Sequence, residues 1–410
     1  MAFDAEEFAR RRQARKQRQA QQAEKRKKAY RLAAILIAAI LCVALVLFLL
    51  IPKNPAADPE PSETTQAAQN QTTIHLVAGG DVNVNDYTAS AELDYSAAFL
   101  DVAHLIGSGT ISTLNFEGNL LGAPYGSASA SAPQSMMQAL SKIGVDFIQL
   151  ANSYSIHYGM AGLKSTISGV KESGMTPLGV YESQEEFSKQ KGFTLIDVQG
   201  IKVALVAFTK GMDGLALPAG SENCVNVLYT DYQSTYQTVD TEGITAVLEN
   251  VKRAKPDITI ALLHWGSEFN DQLSASQTKI ANLMKENGVD AIIGTHPHYV
   301  QQISYEPETG FLLAYSLGDF FGDAQRAGSE YSILLDLEIT KNTRTGDVKI
   351  SNYSYTPIFT VMEEEKPPRV VRIQEAITAY EAGHIDRVSQ ETYEDMKYAL
   401  TRIEERVTGK

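Results

Sequence analysis

From Thr73 onward, short apolar runs alternate with amphipathic stretches, the pattern of an α/β domain rather than of a helical bundle or a pure sandwich. The runs IHLVAGG (74–80), ISTLNF (111–116), FIQLAN (147–152), FTLIDV (193–198) and KVALVAF (202–208) predict strands in the first half. ITIALLHW (258–265), AIIGTH (291–296), FLLAYSL (311–317), SILLDLEI (332–339) and VKISNYSY (348–355) predict strands in the second. Helices are expected over 94–106, 133–143, 160–173, 240–254 and 274–287. Gln199-Gly200 separates two apolar runs and predicts a hairpin. Residues 332–355 predict a second hairpin, so the sheets should be mixed. The tail from 366 to 410 predicts two further helices, and no internal repeat is seen.

Ahead of this domain the pattern changes. Leu32 to Ile51 is a run of twenty uncharged residues without Gly or Pro. At about 1.5 Å per residue it is long enough to cross about 30 Å of hydrocarbon. Residues 1–31 are strongly basic and Lys53 is the only basic residue soon after the run, which places the N-terminus in the cytoplasm and the main domain outside. The run exceeds a usual signal-peptide core and no small-x-small cleavage site follows it, so an anchor is favoured over a cleaved signal. The basic segment reads first as a topology signal and second as a contact for anionic lipid. Residues 52–72, rich in Pro, Ala, Ser, Thr and Gln, predict a flexible tether. The expected domains are therefore a basic segment (1–31), a transmembrane helix (32–51), a linker (52–72), the α/β domain (73–360) and a helical extension (361–410).

Charge narrows the partners. The chain is 410 residues long and 44% hydrophobic, enough to bury a core, and its net charge is −13. Residues 1–31 carry eleven Lys/Arg against four Asp/Glu, so residues 32–410 carry −20. Nucleic-acid binding by the body is excluded as an expectation, because it needs a basic surface. With only Cys42 and Cys224, neither a disulfide framework nor a thiolate zinc site is available.

The candidate ligands fall where predicted strands stop: Asp81 after the first, Glu117 after the second, Asn152 closing the third, His264 near the end of ITIALLHW, and His296 with His298 at and just past the end of AIIGTH. Strand ends are where loops converge and ligands bind in α/β folds. Pro297 biases His296 toward an extended conformation, and residues two apart in an extended segment face the same side, so both imidazoles could meet one cation. A nitrogen and oxygen donor set without thiolate suits divalent Mn, Fe, Zn or Mg. Hydrolysis is the natural reaction class, with Asp81 or Glu117 available to bridge two ions.

Together GGDVNVN, LNFEGNL, LANSYSIHYG, LHWGSEF, GTHPHYVQ and YSLGDF, six motifs in order over residues 74–360, resemble the CapA family of capsule and poly-gamma-glutamate synthesis proteins. That family is a branch of the calcineurin-like metallophosphoesterase superfamily. The resemblance implies a four-layer α/β/β/α sandwich, an N-terminal anchor with an extracytoplasmic domain, and a role in polyglutamate capsule assembly, export or anchoring. It implies metal-site positions at Asp81, Glu117, His264, His296 and His298. The capsule polymer or its synthesis machinery, and the membrane, are the partners it implies.

One motif departs from the family pattern A-N-N-H-x-x-D-x-G. Here Ser153 replaces the second Asn, Tyr154 the His and His157 the Asp. A phenol with pKa near 10 is a weaker acid catalyst at neutral pH than imidazolium. Two rescues are open: Asn152 supplies the missing oxygen, or His157 turns inward and takes over from the lost imidazole. Asp319, where the family usually has Asn, adds either an acidic group at the site or a surface charge. Glu268 either orients a ligating imidazole or caps the following segment. Asn83, two after Asp81, brings an amide toward the cleft. Trp265, the only tryptophan, predicts core packing beside the site.

Overall fold

The computed structural model describes residues 70–409 except 91, 323–325, 364–365 and 385–387. In chain order the first strands are β1 (Gln71–Asn83), β2 (Ile111–Glu117), β3 (Phe147–Gln149), β4 (Thr176–Leu178), β5 (Thr194–Val198), β6 (Ile201–Thr209) and β7 (Ile258–His264). They are followed by β8 (Ala291–Thr295), β9 (Ile303–Glu306), β10 (Phe311–Ala314), β11 (Asp319–Phe321), β12 (Tyr331–Asn342), β13 (Val348–Val361) and β14 (Arg369–Arg372). The helices are α1 (Tyr95–Ala98), α2 (Ala103–Ser108), α3 (Gln134–Lys142), α4 (Gly159–Glu172), α5 (Gln184–Gln190), α6 (Thr241–Ala254), α7 (Ala275–Glu286), α8 (Ile373–Glu381) and α9 (Gln390–Thr408).

These strands build two mixed sheets. The eight-stranded sheet runs β14-β13-β12-β1-β2-β3-β4, with β11 pairing β1. Its β1, β2, β3 and β4 are parallel, while β12, β13 and β14 add antiparallel strands on the other side. The six-stranded sheet runs β5-β6-β7-β8-β10-β9, parallel in its middle and antiparallel at both edges.

The sequence explains this arrangement locally. Every residue of β2, β7 and β8 is buried, as expected for interior parallel strands covered on both faces. Along β6 the two-residue period sorts neighbours to opposite sides. Val203, Leu205 and Ala207 join a core shared with the eight-stranded sheet, whereas Ala204, Val206 and Phe208 join a second core with α6 and α7. Helix α6 meets that second core with Ile244, Val247, Leu248 and Val251, the spacing of one helical face, and Asp240 caps its start.

The hairpin predicted at Gln199-Gly200 is present: both residues have positive φ, 54° and 79°, and Val198 pairs with Ile201. The hairpin over 332–355 is present as β12 and β13. Two expectations are corrected. The helix expected over 94–106 is two short helices, because buried Phe99 turns into the core against Phe320 and Phe321. The first tail helix begins as strand β14, since the β-branched pair Val370-Val371 follows two prolines and pairs with β13. The basic segment, the expected membrane span and most of the linker lie outside the described residues, although Gln71 and Thr72 open β1. Among the described residues no helix is long and apolar enough to cross a membrane.

Candidate metal centre

The carboxyl ends of parallel strands from both sheets converge on one place. Glu117 ends β2, His264 ends β7, His296 and His298 follow β8, and Asp81 lies near the end of β1 in register with Asp319 of β11. Gly80 makes that last pairing feasible, because a Cβ there would stand 1.6 Å from the Gly318 carbonyl oxygen. The Asp81 amide donates to the same carbonyl at 3.1 Å.

The titratable side chains form two groups, each with ligand atoms mutually within 4.8 Å: Glu117, His264 and His296, and then Asp81, His298 and Asp319. In the first, His264 Nε2 is 3.2 Å from Glu117 Oε1 and 3.2 Å from Ser153 Oγ, and the two imidazole rings are 4.4 Å apart. In the second, His298 Nδ1 is 2.8 Å from Asp319 Oδ1 and 3.9 Å from Asp81 Oδ2. Glu117 joins the two groups, its Oε2 lying 3.9 Å from His298 Nε2. Asn115 is a further tie: its Nδ2 donates to Asp81 Oδ1 at 2.6 Å and lies 3.3 Å from His264 Nδ1.

Burial sets the protonation. It pushes Asp81 up to about 7, with the Asp319 charge adding and His298 opposing. Burial, then the neighbouring Asp81, raises Glu117 well above the carboxylate range. Burial holds His264 and His296 well below the usual imidazole value, so both are neutral. It would depress His298 too, but the carboxylates of Asp319, Glu117 and Asp81 together outweigh it and hold that ring well above its usual value. Asp81 and Glu117 are therefore pushed toward their protonated forms, while His298 alone of the three imidazoles is pushed toward its charged one. Glu117 Oε1 and His296 Nδ1 are buried without a hydrogen-bond partner. The donor set, the crowded acids and these orphaned atoms all fit divalent metal of the Mn, Fe, Zn or Mg kind. Such an ion, when bound, supplies Lewis acidity and a positive charge for an anionic substrate.

Several sequence expectations meet a different geometry. His296 and His298 do not share an extended segment: their φ values are 93° and 58°, and their rings, 6.1 Å apart, fall in different ligand groups. A turn after β8, rather than strand periodicity, aims them. Asp319 is no surface charge; it is buried in a ligand group. Asn152 is buried, but its Oδ1 accepts from the Tyr154 amide and its Nδ2 donates to Asn115 Oδ1 and the Phe116 carbonyl. It is Ser153, not Asn152, that meets His264. His157 does not turn inward: the ring is exposed beside Tyr154 and Tyr158. Tyr154 is half-buried, and burial, with the Glu117 charge adding, raises its phenol further above the ordinary value. Glu268 is exposed and neither orients an imidazole nor caps a helix; Ser274 caps α7 instead. Asn83 pairs with Glu117 across β1 and β2, and its amide nitrogen is buried without a partner. Trp265 is fully buried, its indole donating to the Tyr315 carbonyl.

Asn115 and Lys210 were not anticipated. Asn115 is two residues before Glu117 on one strand, so the same periodicity that faces Glu117 inward carries it there. Lys210 directly follows β6, at the edge where the other strands end. Its Nζ donates to the Gly266 carbonyl at 2.9 Å, lies 3.3 Å from His296 Nε2 and sits 4.6 Å over the Tyr236 ring.

A two-sheet α/β fold with a buried carboxylate and imidazole centre defines the class. The chain belongs to the bacterial capsule synthesis protein family PGA_cap, which matches residues 75–324. It is 27% identical over 215 residues to the capsule biosynthesis protein CapA of Bacillus anthracis, covering 52% of this chain and 48% of that protein. It is 27% identical over 206 residues to the PGA biosynthesis protein CapA of Bacillus subtilis (strain 168), covering 50% of each. The matched stretch thus spans about half the length of these relatives. Among solved structures, the chain is similar to the calcineurin-like phosphoesterase YfkN from Bacillus subtilis, with 15% identity, a TM-score of 0.44, and coverage of 80% of this chain and 99% of that one.

Proposed function

We propose that this protein is a membrane-anchored, extracytoplasmic factor that processes an anionic capsule polymer, poly-gamma-glutamate foremost, by divalent-metal hydrolysis. Family membership supports the capsule setting, and the uncharged run 32–51 after a basic segment supports the anchor. The core residues of β6, which face the other sheet on one side and helices on the other, support a four-layer α/β/β/α order. One observation carries the chemical reading: two groups of carboxylate and imidazole donors, joined through Glu117. Residues 73–410 carry −18, so bulk charge repels a polyanion and contact with it is local, at the metal centre.

A second reading, a metal-binding scaffold without turnover, is favoured by the 152–157 loop. There the phenol of Tyr154 stands where the family has an imidazole, and His157 faces solvent. The test is to purify the full chain, measure bound metal elementally, and assay phosphodiester and gamma-glutamyl substrates with and without chelator. Hydrolysis lost on chelation and in Asp81→Ala and His296→Ala supports the enzyme. Stoichiometric metal without turnover supports the scaffold. A wild-type chain that takes up none of Mn²⁺, Zn²⁺ or Mg²⁺ removes the enzyme reading.

A further inference from the structure

Resting on the metal-dependent reading above, we infer that Lys210 is an anion-positioning residue, holding an oxyanion group of the substrate beside the Glu117–His264–His296 group. Lys210 is half-buried beside the centre, with the carboxylates of Glu268 and Asp213 near enough to favour its charge. An ammonium held at the edge of the ligand group is a ready partner for an oxyanion, to which it forms a charge-assisted hydrogen bond. Its ammonium donates one hydrogen bond to the Gly266 carbonyl and sits over the face of the Tyr236 ring. An ammonium has three donors. One is spent on Gly266, and a second faces His296 Nε2 at 3.3 Å, which leaves at least one to donate elsewhere.

The surroundings fix where that donor is used. Gly266 and His296 are on loops that follow β7 and β8, so the two contacts tether Nζ at the edge of the ligand group rather than out in solvent. The loop after β6 is itself held close: a Cβ on Gly211 would stand 2.4 Å from the Tyr232 carbonyl oxygen and 2.7 Å from the Tyr236 ring. A divalent ion at His296 and the ammonium of Lys210 then present two positive charges to one small volume, and an oxyanion between them satisfies both. Phosphoryl and carboxylate oxygens share this chemistry.

The experiment uses the full chain loaded with Mn²⁺, titrated calorimetrically with inorganic phosphate in one arm and with gamma-glutamyl-glutamate in the other. Phosphate binding weakened about tenfold in Lys210→Met, with Mn²⁺ stoichiometry retained and Lys210→Arg restoring most of the affinity, is the expected result for a phosphoryl substrate. The same pattern in the glutamyl arm alone assigns a carboxylate. Lys210→Gln serves as a second variant if Lys210→Met unfolds below the working temperature. Binding of both anions unchanged in a variant that holds Mn²⁺ normally overturns the role of Lys210 and leaves the metal reading intact. Absence of Mn²⁺ binding by the wild type overturns both.

Discussion

The imidazole Nδ1 of His298 lies 2.8 Å from Oδ1 of Asp319, and Asp319 in turn stands in register with Asp81 on the neighbouring strand. A carboxylate fixed on one ring nitrogen sets the tautomer and orientation of a metal-binding histidine. Asp319→Asn should weaken metal binding about 10- to 100-fold, the usual range for loss of such a partner. Competition titration against a chelator measures it, and an unchanged affinity would show that His298 is oriented by other contacts.

Metal uptake should depend on pH with a definite sign. The Asp81 carboxyl is raised to about 7, so the metal-free fold is stabilised by its protonated form below the ordinary carboxylate range and loses that stabilisation as pH rises through about 7. Metal ligation needs the ionised form. Affinity should therefore fall as pH drops below 7, with proton release on binding that is detectable calorimetrically in buffers of different ionisation enthalpy. The gap in Tm between loaded and chelated protein should be wider at pH 8 than at pH 5.

Glu117→Gln separates stability from binding. Its carboxyl is buried and held well above the carboxylate range, so a neutral isostere spares the chelated protein the cost of burying that acid, whether it is ionised or protonated. The chelated variant should melt at or above the wild-type Tm at pH 8. It should lose the ~2.7 kcal/mol that a ligand at 100 times its Kd confers on the native state. A variant still stabilised by Mn²⁺ to the wild-type extent would remove Glu117 from the centre.

Tyr154→His combined with Ser153→Asn restores the residue types usual in the family at a place where Ser153 Oγ already meets His264 at 3.2 Å. If the present loop limits turnover, phosphodiester hydrolysis should rise about 100-fold, within the range a positioned acid or base contributes. Initial rates under Mn²⁺ decide it; no rise places the limit elsewhere.

Much of the centre was legible in the sequence because Asp81, Glu117 and His264 sit on or at the ends of long apolar strands, whose period and termini the residue pattern exposes. The aim of His296 and His298 was not legible. Their positive φ values belong to a turn held by tertiary contacts such as the His296 amide donating to Asp81 Oδ2 at 2.9 Å, against the local preference set by Pro297. Asp319 was hard to place for a related reason, since β11 is three residues long and exists only through its pairing with β1. Helix α5 shows no buried residue and so no hydrophobic face to read, while α1 and α2 are too short for a helical period. Long, regular elements announce themselves in the sequence; contacts between distant segments do not.

The position of β1 between β12 and β2 has a practical corollary. Residues 75–324 include every ligand named above, yet a fragment cut to those limits would lack β12, which hydrogen-bonds along Gln71 to Ala78. The ladder that carries Asp81 would then have an unprotected side, flanked by the apolar Leu76 and Ala78. Such an open border invites pairing with other copies of the chain, so the minimal excerpt that contains the chemistry is one that self-associates instead of performing it.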